Sequence, residues 1–434
     1  MSLLLYQIVF PLIGLMILAR MLLAGRGGAI REGAPDIRQR LGLLSPEERA
    51  RLGDGPVAWF HAASVGEVRA AAPLLRMLAA AADRPRILVT TSTVSGREHA
   101  RKLPEVDLAV LAPMDFFPAV SAFLRRARPR SLVLIETELW PMTLWAARRR
   151  GIRLGIANGR ITERAFSRYR WIRGIMARLL SGFERAAVQT GADAERYKAL
   201  GLPPAATKRT GNLKYDQQLP SEEAVAKARE RLAGLGWAED PCWVAGSTRR
   251  GEEAIVLEAH KKAVREIPRL RLILAPRHPE RSQEVESLLR AGGLRCVRWS
   301  QLLPFQADPE CILIDALGVL GSLYPVGRAA FVGGTLVPVG GHNLLEPALA
   351  GVPVLFGPHT ASVRKVAQEL ERSGGGRVAQ DAAGLATALT DLLLNESDRR
   401  VAGTRARRAA MRFSGATERT FEHLRPLLLP EKMV

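Results

Sequence analysis

Short apolar runs rich in Val, Ile, Leu and Ala alternate from residue 57 onward with longer stretches whose apolar positions recur every three or four residues. The first pattern predicts buried strands and the second amphipathic helices, so the alternation predicts parallel sheets with helical crossovers. In the first half, strands are expected at Val57–Ala62, Arg86–Thr91, Asp107–Ala112, Ser131–Glu136, Arg153–Ala157 and Arg185–Gln189. Helices are expected between them, including Glu67–Ala82, Phe116–Arg126 and Glu163–Leu180. The polar stretch Gly211–Ser221 (GNLKYDQQLPS) carries Gly and Pro and reads as a linker. A second alternating series follows, with strands at Cys242–Ala245, Leu270–Ala275, Cys311–Asp315, Ala329–Val332 and Val352–Phe356. From about Ser397 the chain reads as Arg-rich helix. The fold class is therefore α/β, with two consecutive doubly wound domains. Such a pair implies a cleft, with ligands beyond the carboxyl ends of the strands.

The N-terminal pattern differs. Residues 1–19 carry no charged side chain, and Leu3–Ala24 is interrupted only by Arg20. Twenty-two helical residues span about 33 Å, matching a hydrocarbon core of about 30 Å. No basic region precedes the apolar run, which argues against a cleaved signal peptide. Arg20, Arg26, Arg31, Arg38 and Arg40 all follow it, so the positive-inside rule predicts a body on the cytoplasmic face of the inner membrane. Pro11 and Gly14 leave open a helix that lies on one leaflet instead of spanning it. The expected organisation is an anchor over 1–24, a first α/β domain over 25–212 and a second over 213–434, whose last helix can pack back on the first.

Length and composition agree. The chain has 434 residues, too many for one ordinary domain, and 47% are hydrophobic, enough for two cores. Its three cysteines include no C-x-x-C, so neither a disulfide framework nor a zinc site is indicated, and three unpaired thiols fit a reducing cytoplasm. The net charge of +20 implies anionic partners. It is concentrated: residues 121–180 hold 14 Arg against 3 Glu, including Arg148, Arg149 and Arg150. These arginines lack interleaved aromatics and no nucleic-acid module is present, so anionic inner-membrane lipids fit better than nucleic acid.

The candidate chemistry lies after predicted strands. His61-Ala-Ala-Ser64-Val65-Gly66-Glu67 follows the first, putting Glu67 at a helix N-terminus, where the dipole also favours a carboxylate with no further role. Glu136-Thr137-Glu138 follows the fourth, and two acids at a strand end require pairing, hydration or function. Asn158-Gly159-Arg160 adds a polar cluster after the fifth. In the second series, Pro276-Arg277-His278 places a guanidinium at a strand end, where its planar fork suits phosphate. Gly333-Gly334-Thr335 and Gly340-Gly341-His342-Asn343 are glycine turns, the second read as opening a helix through Glu346. Such turns expose backbone N–H groups that cradle anions, and Glu346 could accept from ribose hydroxyls. Together these describe a nucleotide-sugar site. Neither G-x-G-x-x-G nor a P-loop is present, which argues against NAD enzymes and NTPases. The acid-x-acid spacing of Glu136 and Glu138 could hold a divalent cation on a nucleotide diphosphate, but no other acidic pair or histidine cluster supports a metal, so none is expected, nor any cofactor.

The ordered series HAASVGE (61–67), ETELWP (136–141), GNLK (211–214), PRHPER (276–281), VGGTLV (332–337) and GGHNLLEP (340–347) resembles the motifs of the bacterial lipid A Kdo (3-deoxy-D-manno-octulosonic acid) transferases. The resemblance covers nearly the whole chain. It implies an inverting GT-B glycosyltransferase with two Rossmann-like domains facing a cleft, CMP-Kdo as donor and the lipid A precursor as acceptor. It also implies Glu67 as general base, with Glu136 and Lys214 stabilising the transition state. CMP contacts would come from Pro276 and Arg277, from Leu317-Gly318-Val319, and from Asn343-Leu344-Leu345-Glu346. Many relatives have Gly-Glu-Leu where this chain has Gly318-Val319-Leu320, so any contact at Val319 must use its backbone. Two other readings compete: a GT-B transferase or epimerase using a UDP-sugar, and a membrane-attached polyanion-binding scaffold whose glycine turns are structural.

Overall fold

The computed structural model describes residues 34–216, 219–302 and 308–429. The expected anchor over 1–24 lies outside the described residues, among which no helix is long and apolar enough to cross a membrane. The chain forms two compact units: one holds the residues up to Asp216 and those from Gly415 onward, the other the residues between. The division falls after Asp216, where the sequence put it after 212, so Lys214 belongs to the first unit.

In the first unit, β1 (Val57–His61), β2 (Arg86–Thr91), β3 (Leu108–Leu111), β4 (Pro129–Ile135), β5 (Arg153–Gly159), β6 (Phe183–Val188) and β7 (Thr207–Arg209) pair in parallel in the order β3-β2-β1-β4-β5-β6-β7. Successive side chains of a strand alternate between faces. Accordingly, Val57 and Trp59 join one buried cluster with Phe123 and Leu144, while Ala58 and Phe60 join another with Leu74 and Leu78. Burial on both faces is why these strands read as continuous apolar runs.

The C-terminal helix Ala416–Leu428 completes the second cluster through Phe421, Leu424 and Leu427. Gly155 on β5 admits it: a Cβ there would stand 3.2 Å from Leu424 Cδ2. Arg153 Nη1 donates to the Pro426 carbonyl at 2.6 Å and Arg419 Nε to the Thr210 carbonyl at 2.9 Å, fixing the helix at both ends.

The second unit repeats the plan with β8 (Cys242–Thr248), β9 (Arg271–Pro276), β10 (Cys296–Arg298), β11 (Cys311–Leu313), β12 (Ala329–Val332), β13 (Val354–Phe356) and β14 (Gly376–Val378). Their order, β10-β11-β9-β8-β12-β13-β14, is again fully parallel. In each sheet the strand order reverses beside the first strand of the unit, at β1/β4 and at β8/β12. Loops leaving the carboxyl ends of such neighbours run in opposite directions and open a crevice.

Candidate active site

Glu67 sits at the crevice of the first sheet. Ser64, in extended backbone (φ −132°, ψ 166°), precedes the helix Val65–Ala79, and Glu67 lies in the first turn. Its Oε2 accepts from the Ala63 N–H at 2.6 Å, which ties the carboxylate to the turn leaving β1. Glu67 is half-buried. Desolvation pushes its pKa up to about 7, against the Ala63 hydrogen bond and with help from the nearby Glu136 and Glu138 charges. A carboxyl poised near neutrality fits a general base.

Glu136 follows β4 directly and is held at φ 62°, a conformation few non-glycine residues adopt. Its Oε1 accepts from Lys214 Nζ at 2.6 Å and from Asn158 Nδ2 at 3.4 Å. Its carbonyl accepts from the buried Tyr197 hydroxyl at 3.1 Å. Asn158, fully buried after the core of β5 and also left-handed (φ 57°), accepts the Leu213 N–H on Oδ1 at 3.0 Å. One amide thus orients both Glu136 and the short 3-10 turn Leu213–Tyr215 that carries Lys214. Two strained residues at neighbouring strand ends mark a site whose geometry the surrounding packing imposes.

Glu138 does not converge on the same cation: its Oε2 accepts from Trp140 Nε1 at 3.0 Å. Burial raises its pKa. Its neighbour is His61 Nε2 at 4.0 Å, an atom with no hydrogen-bond partner among the described residues. His61 Nδ1 pairs with Thr90 Oγ1 at 2.9 Å, and burial holds the ring's pKa down to about 4. In the sequence His61 and Asn158 are single polar residues within motifs, and nothing there gives either a role.

In the second unit, Pro276, Arg277, Leu317, Gly318 and Glu346 line one cavity of about 470 Å³ beside the end of β8. Ser247, absent from the sequence-derived site, lines it too; it bulges from β8 at φ 56°. Asn343 Nδ2 donates to Glu346 Oε1 at 3.0 Å and its Oδ1 accepts the Leu345 N–H at 3.1 Å, so Asn343 positions Glu346. Burial raises the Glu346 pKa, opposed by Asn343 and by the Arg277 charge. Val319, Asn343, Leu344 and Leu345 are not part of the cavity lining. The Leu344 and Leu345 side chains are core, and Val319 packs against the cluster around Tyr324.

Two expectations need correction. The helix carrying Glu346 starts at Leu345, so Gly340-Gly341 does not open it, and Gly341 N–H donates to the Gly334 carbonyl at 2.7 Å. Nor is Gly333-Gly334-Thr335 a vacant anion cradle. The N–H groups of Gly334, Thr335 and Leu336 donate to the fully buried carboxylate of Glu252 at 2.7, 3.0 and 2.8 Å. The anion these amides hold is the protein's own. Among the described residues no cluster of His, Cys, Asp or Glu forms a metal site.

Comparison with known proteins agrees with this layout. A family model described as 3-deoxy-D-manno-octulosonic-acid transferase (kdotransferase) matches residues 35–217. The 3-deoxy-D-manno-octulosonic acid transferase of Haemophilus influenzae is 34% identical over 373 residues, 85% of this chain and 87% of its own. The Bordetella pertussis protein of the same name is 33% identical over 416 residues, 92% of each chain. The crystal structure of UDP-GlcNAc 2-epimerase from Neisseria meningitidis superposes with a TM-score of 0.57, covering 85% of this chain and 98% of that one. At 13% identity that similarity concerns the fold alone.

Proposed function

Since the chain belongs to the 3-deoxy-D-manno-octulosonic acid transferase family of glycosyltransferases, we propose that it transfers Kdo from CMP-Kdo to the lipid A precursor, with inversion at the anomeric carbon. The observation that carries the reading is the address of its motifs. HAASVGE follows β1, ETELWP follows β4, GNLK follows β7, PRHPER begins at the end of β9, and both glycine motifs follow β12. Every one lies at a carboxyl strand end, where doubly wound sheets bind ligands.

In this reading Glu67 accepts the proton of the acceptor's sugar hydroxyl as that oxygen bonds to C2 of Kdo. The bond from C2 to the CMP phosphate breaks on the opposite face, and CMP leaves with the electron pair. Arg277 neutralises the leaving phosphate through charged hydrogen bonds, the role a metal would otherwise fill. Lys214, held by Glu136, keeps a cation beside the base. Glu346 receives ribose hydroxyls, and Leu317, 80% exposed at the rim, offers apolar surface to the pyrimidine. The enzyme works at the cytoplasmic face of the inner membrane, attached through residues 1–24 and its basic surface. Trp171 supports the second attachment: it is 92% exposed and flanked by exposed Arg168, Arg170 and Arg173.

The test is turnover by the purified full chain with lipid A precursor in EDTA, offering CMP-Kdo or UDP-GlcNAc. Product gaining the mass of one or more Kdo residues, with CMP released, is expected. Turnover of the UDP-sugar alone would overturn the donor assignment, and restoration of Kdo transfer only by a divalent cation would overturn the metal-free mechanism.

A further inference from the structure

The cavity assigned to the nucleotide leaves unused a cationic group at the carboxyl end of β8. Arg249 follows β8, and its N–H donates to Glu252 Oε2 at 2.8 Å. The same carboxylate holds the turn after β12, so one buried group locks both strand ends together. Gly334 in that turn has φ +70°, and a Cβ there would stand 2.9 Å from His342 Cδ2. The glycine makes room for the imidazole. His342 Nε2 then accepts from Arg249 Nε at 3.0 Å, and Arg249 Nη1 lies 2.8 Å from His278 Nε2.

A guanidinium only donates, so each imidazole must turn a lone pair on Nε2 toward it and carry its proton on Nδ1. His278 Nδ1 lies 3.2 Å from Glu280 Oε1, an acceptor for that proton. Burial and the charges of Arg249 and Arg277 hold the His342 pKa down to about 4, so the ring is neutral at pH 7. Arg249 is therefore oriented by two imidazole nitrogens and by no carboxylate. Its neighbours differ: Arg250 pairs with Glu284, and Arg281 with Glu253. Among the described residues neither Arg249 nor Arg277 forms an ion pair with a carboxylate. Both guanidiniums act on the same imidazole, and neither has a carboxylate within ion-pair distance among the described residues.

We propose that Arg249, oriented by His342 and His278, is a second anion subsite that takes the carboxylate of the transferred sugar acid, while Arg277 takes the phosphate. The proposal rests on the CMP-linked donor argued above. That donor carries two anions, a phosphate and a carboxylate, on the same anomeric carbon. Arg277 follows β9 and His342 follows β12, the two strands that flank β8, so the paired guanidiniums match paired anions. A planar fork held at Nε and Nη1 keeps its remaining N–H groups for bidentate contact with a carboxylate.

The test compares the full-length enzyme with Arg249→Ala and Arg249→Lys, measuring KM for CMP-Kdo and the inhibition constant of CMP, which lacks the carboxylate. Arg249→Ala is expected to raise KM about 10- to 100-fold, the loss of a charged hydrogen bond, and to leave CMP inhibition unchanged. Arg249→Lys, which keeps the charge without the fork, should recover part of the loss. Equal weakening toward CMP and CMP-Kdo would show that Arg249 reads the phosphate and overturn the proposal. So would an unchanged KM in either variant with a wild-type unfolding midpoint. Should the alanine variant not fold, the lysine variant decides by the same split. Wild-type enzyme that CMP does not inhibit would overturn the donor reading itself, a result seen before any variant is made.

Discussion

Glu67 combines a helix-terminal position, a backbone hydrogen bond and a carboxyl held near neutrality, and these give three linked expectations. Glu67→Gln keeps the side chain's shape and removes its basicity, so turnover should fall about 10²–10⁴-fold while CMP inhibition is unchanged. A Glu67→Gln enzyme that transfers Kdo at the normal rate would remove the base assignment. As the proposed base, Glu67 is ionised only above its pKa, raised to about 7, so kcat/KM should fall as pH drops through 7 and flatten above it. The same shift has a stability sign. A carboxyl whose folded pKa lies above its unfolded value binds its proton more tightly when folded, so raising pH from about 4.5 to 7 costs stability. Glu67→Gln lacks that cost and should gain in unfolding midpoint over the wild type across this window, a trade of stability for function.

At this scale the sequence made Glu136 and Arg277 legible because each directly follows a strand end, where a charge needs a reason, whereas Glu67 and Glu346, in first turns of helices, became legible through their motifs. Glu252 was not legible. A glutamate in the first turn of a helix reads as a complement to its dipole, whereas its hydrogen-bond partner Gly334 comes 82 residues later. The glycine turn reads as a place for an anion, and nothing local in the sequence shows that the anion is internal.

Among the elements, long strands and helices were readable from their periodicity, whereas those set by tertiary contacts were not. Thr207–Arg209, Cys296–Arg298 and Gly376–Val378 each include a charged residue and lack the apolar run of the equally short Cys311–Leu313 and Val354–Phe356, and they exist because β6, β11 and β13 offer them edges. The expected helix Glu163–Leu180 breaks at Ile172 into Glu163–Trp171 and Arg173–Leu180, and the first piece buries no side chain fully. The C-terminal helix Ala416–Leu428 shows the opposite case, an element far along the chain that closes the first unit's core. Leu424 is fully buried against β5, so Leu424→Ala should lower unfolding stability by about 2–5 kcal/mol. Glu422→Ala, on the exposed side of the same helix, should change it by less than about 0.5 kcal/mol. Denaturant midpoints measure both, and equal effects would mean that the helix is not part of the cooperative core.

For the whole molecule the governing quantity is charge. Residues 121–180 carry 14 Arg against 3 Glu, a net +11 within the chain's +20, so more than half of the excess lies in this one stretch of the first unit. Folding itself does not call for such a stretch, since like charges repel in the compact state. Several of these arginines stay in water: Arg164, Arg168, Arg170 and Arg173 are exposed, and Trp171 among them exposes nearly its whole indole. An exposed tryptophan amid arginines is what an anionic lipid surface receives best, the ring at headgroup depth and the guanidiniums on phosphates. The proposed acceptor is embedded in such a surface, which would give the enzyme reason to stay on it. Each arginine near a cytoplasmic leaflet contributes about 1 kcal/mol, screened beyond roughly 10 Å at 0.1 M salt. Protein lacking residues 1–24 should therefore still sediment with vesicles containing anionic phosphatidylglycerol at low salt and be released at high salt. Replacing Trp171, Arg168, Arg170 and Arg173 by alanine should lower that binding without changing CMP inhibition, because none of them lines the cavity proposed for the nucleotide. Binding of the truncated protein that is equal at both salt concentrations would overturn the electrostatic contact, binding unaffected by the four replacements would move it elsewhere on the surface, and no binding at low salt would remove it altogether.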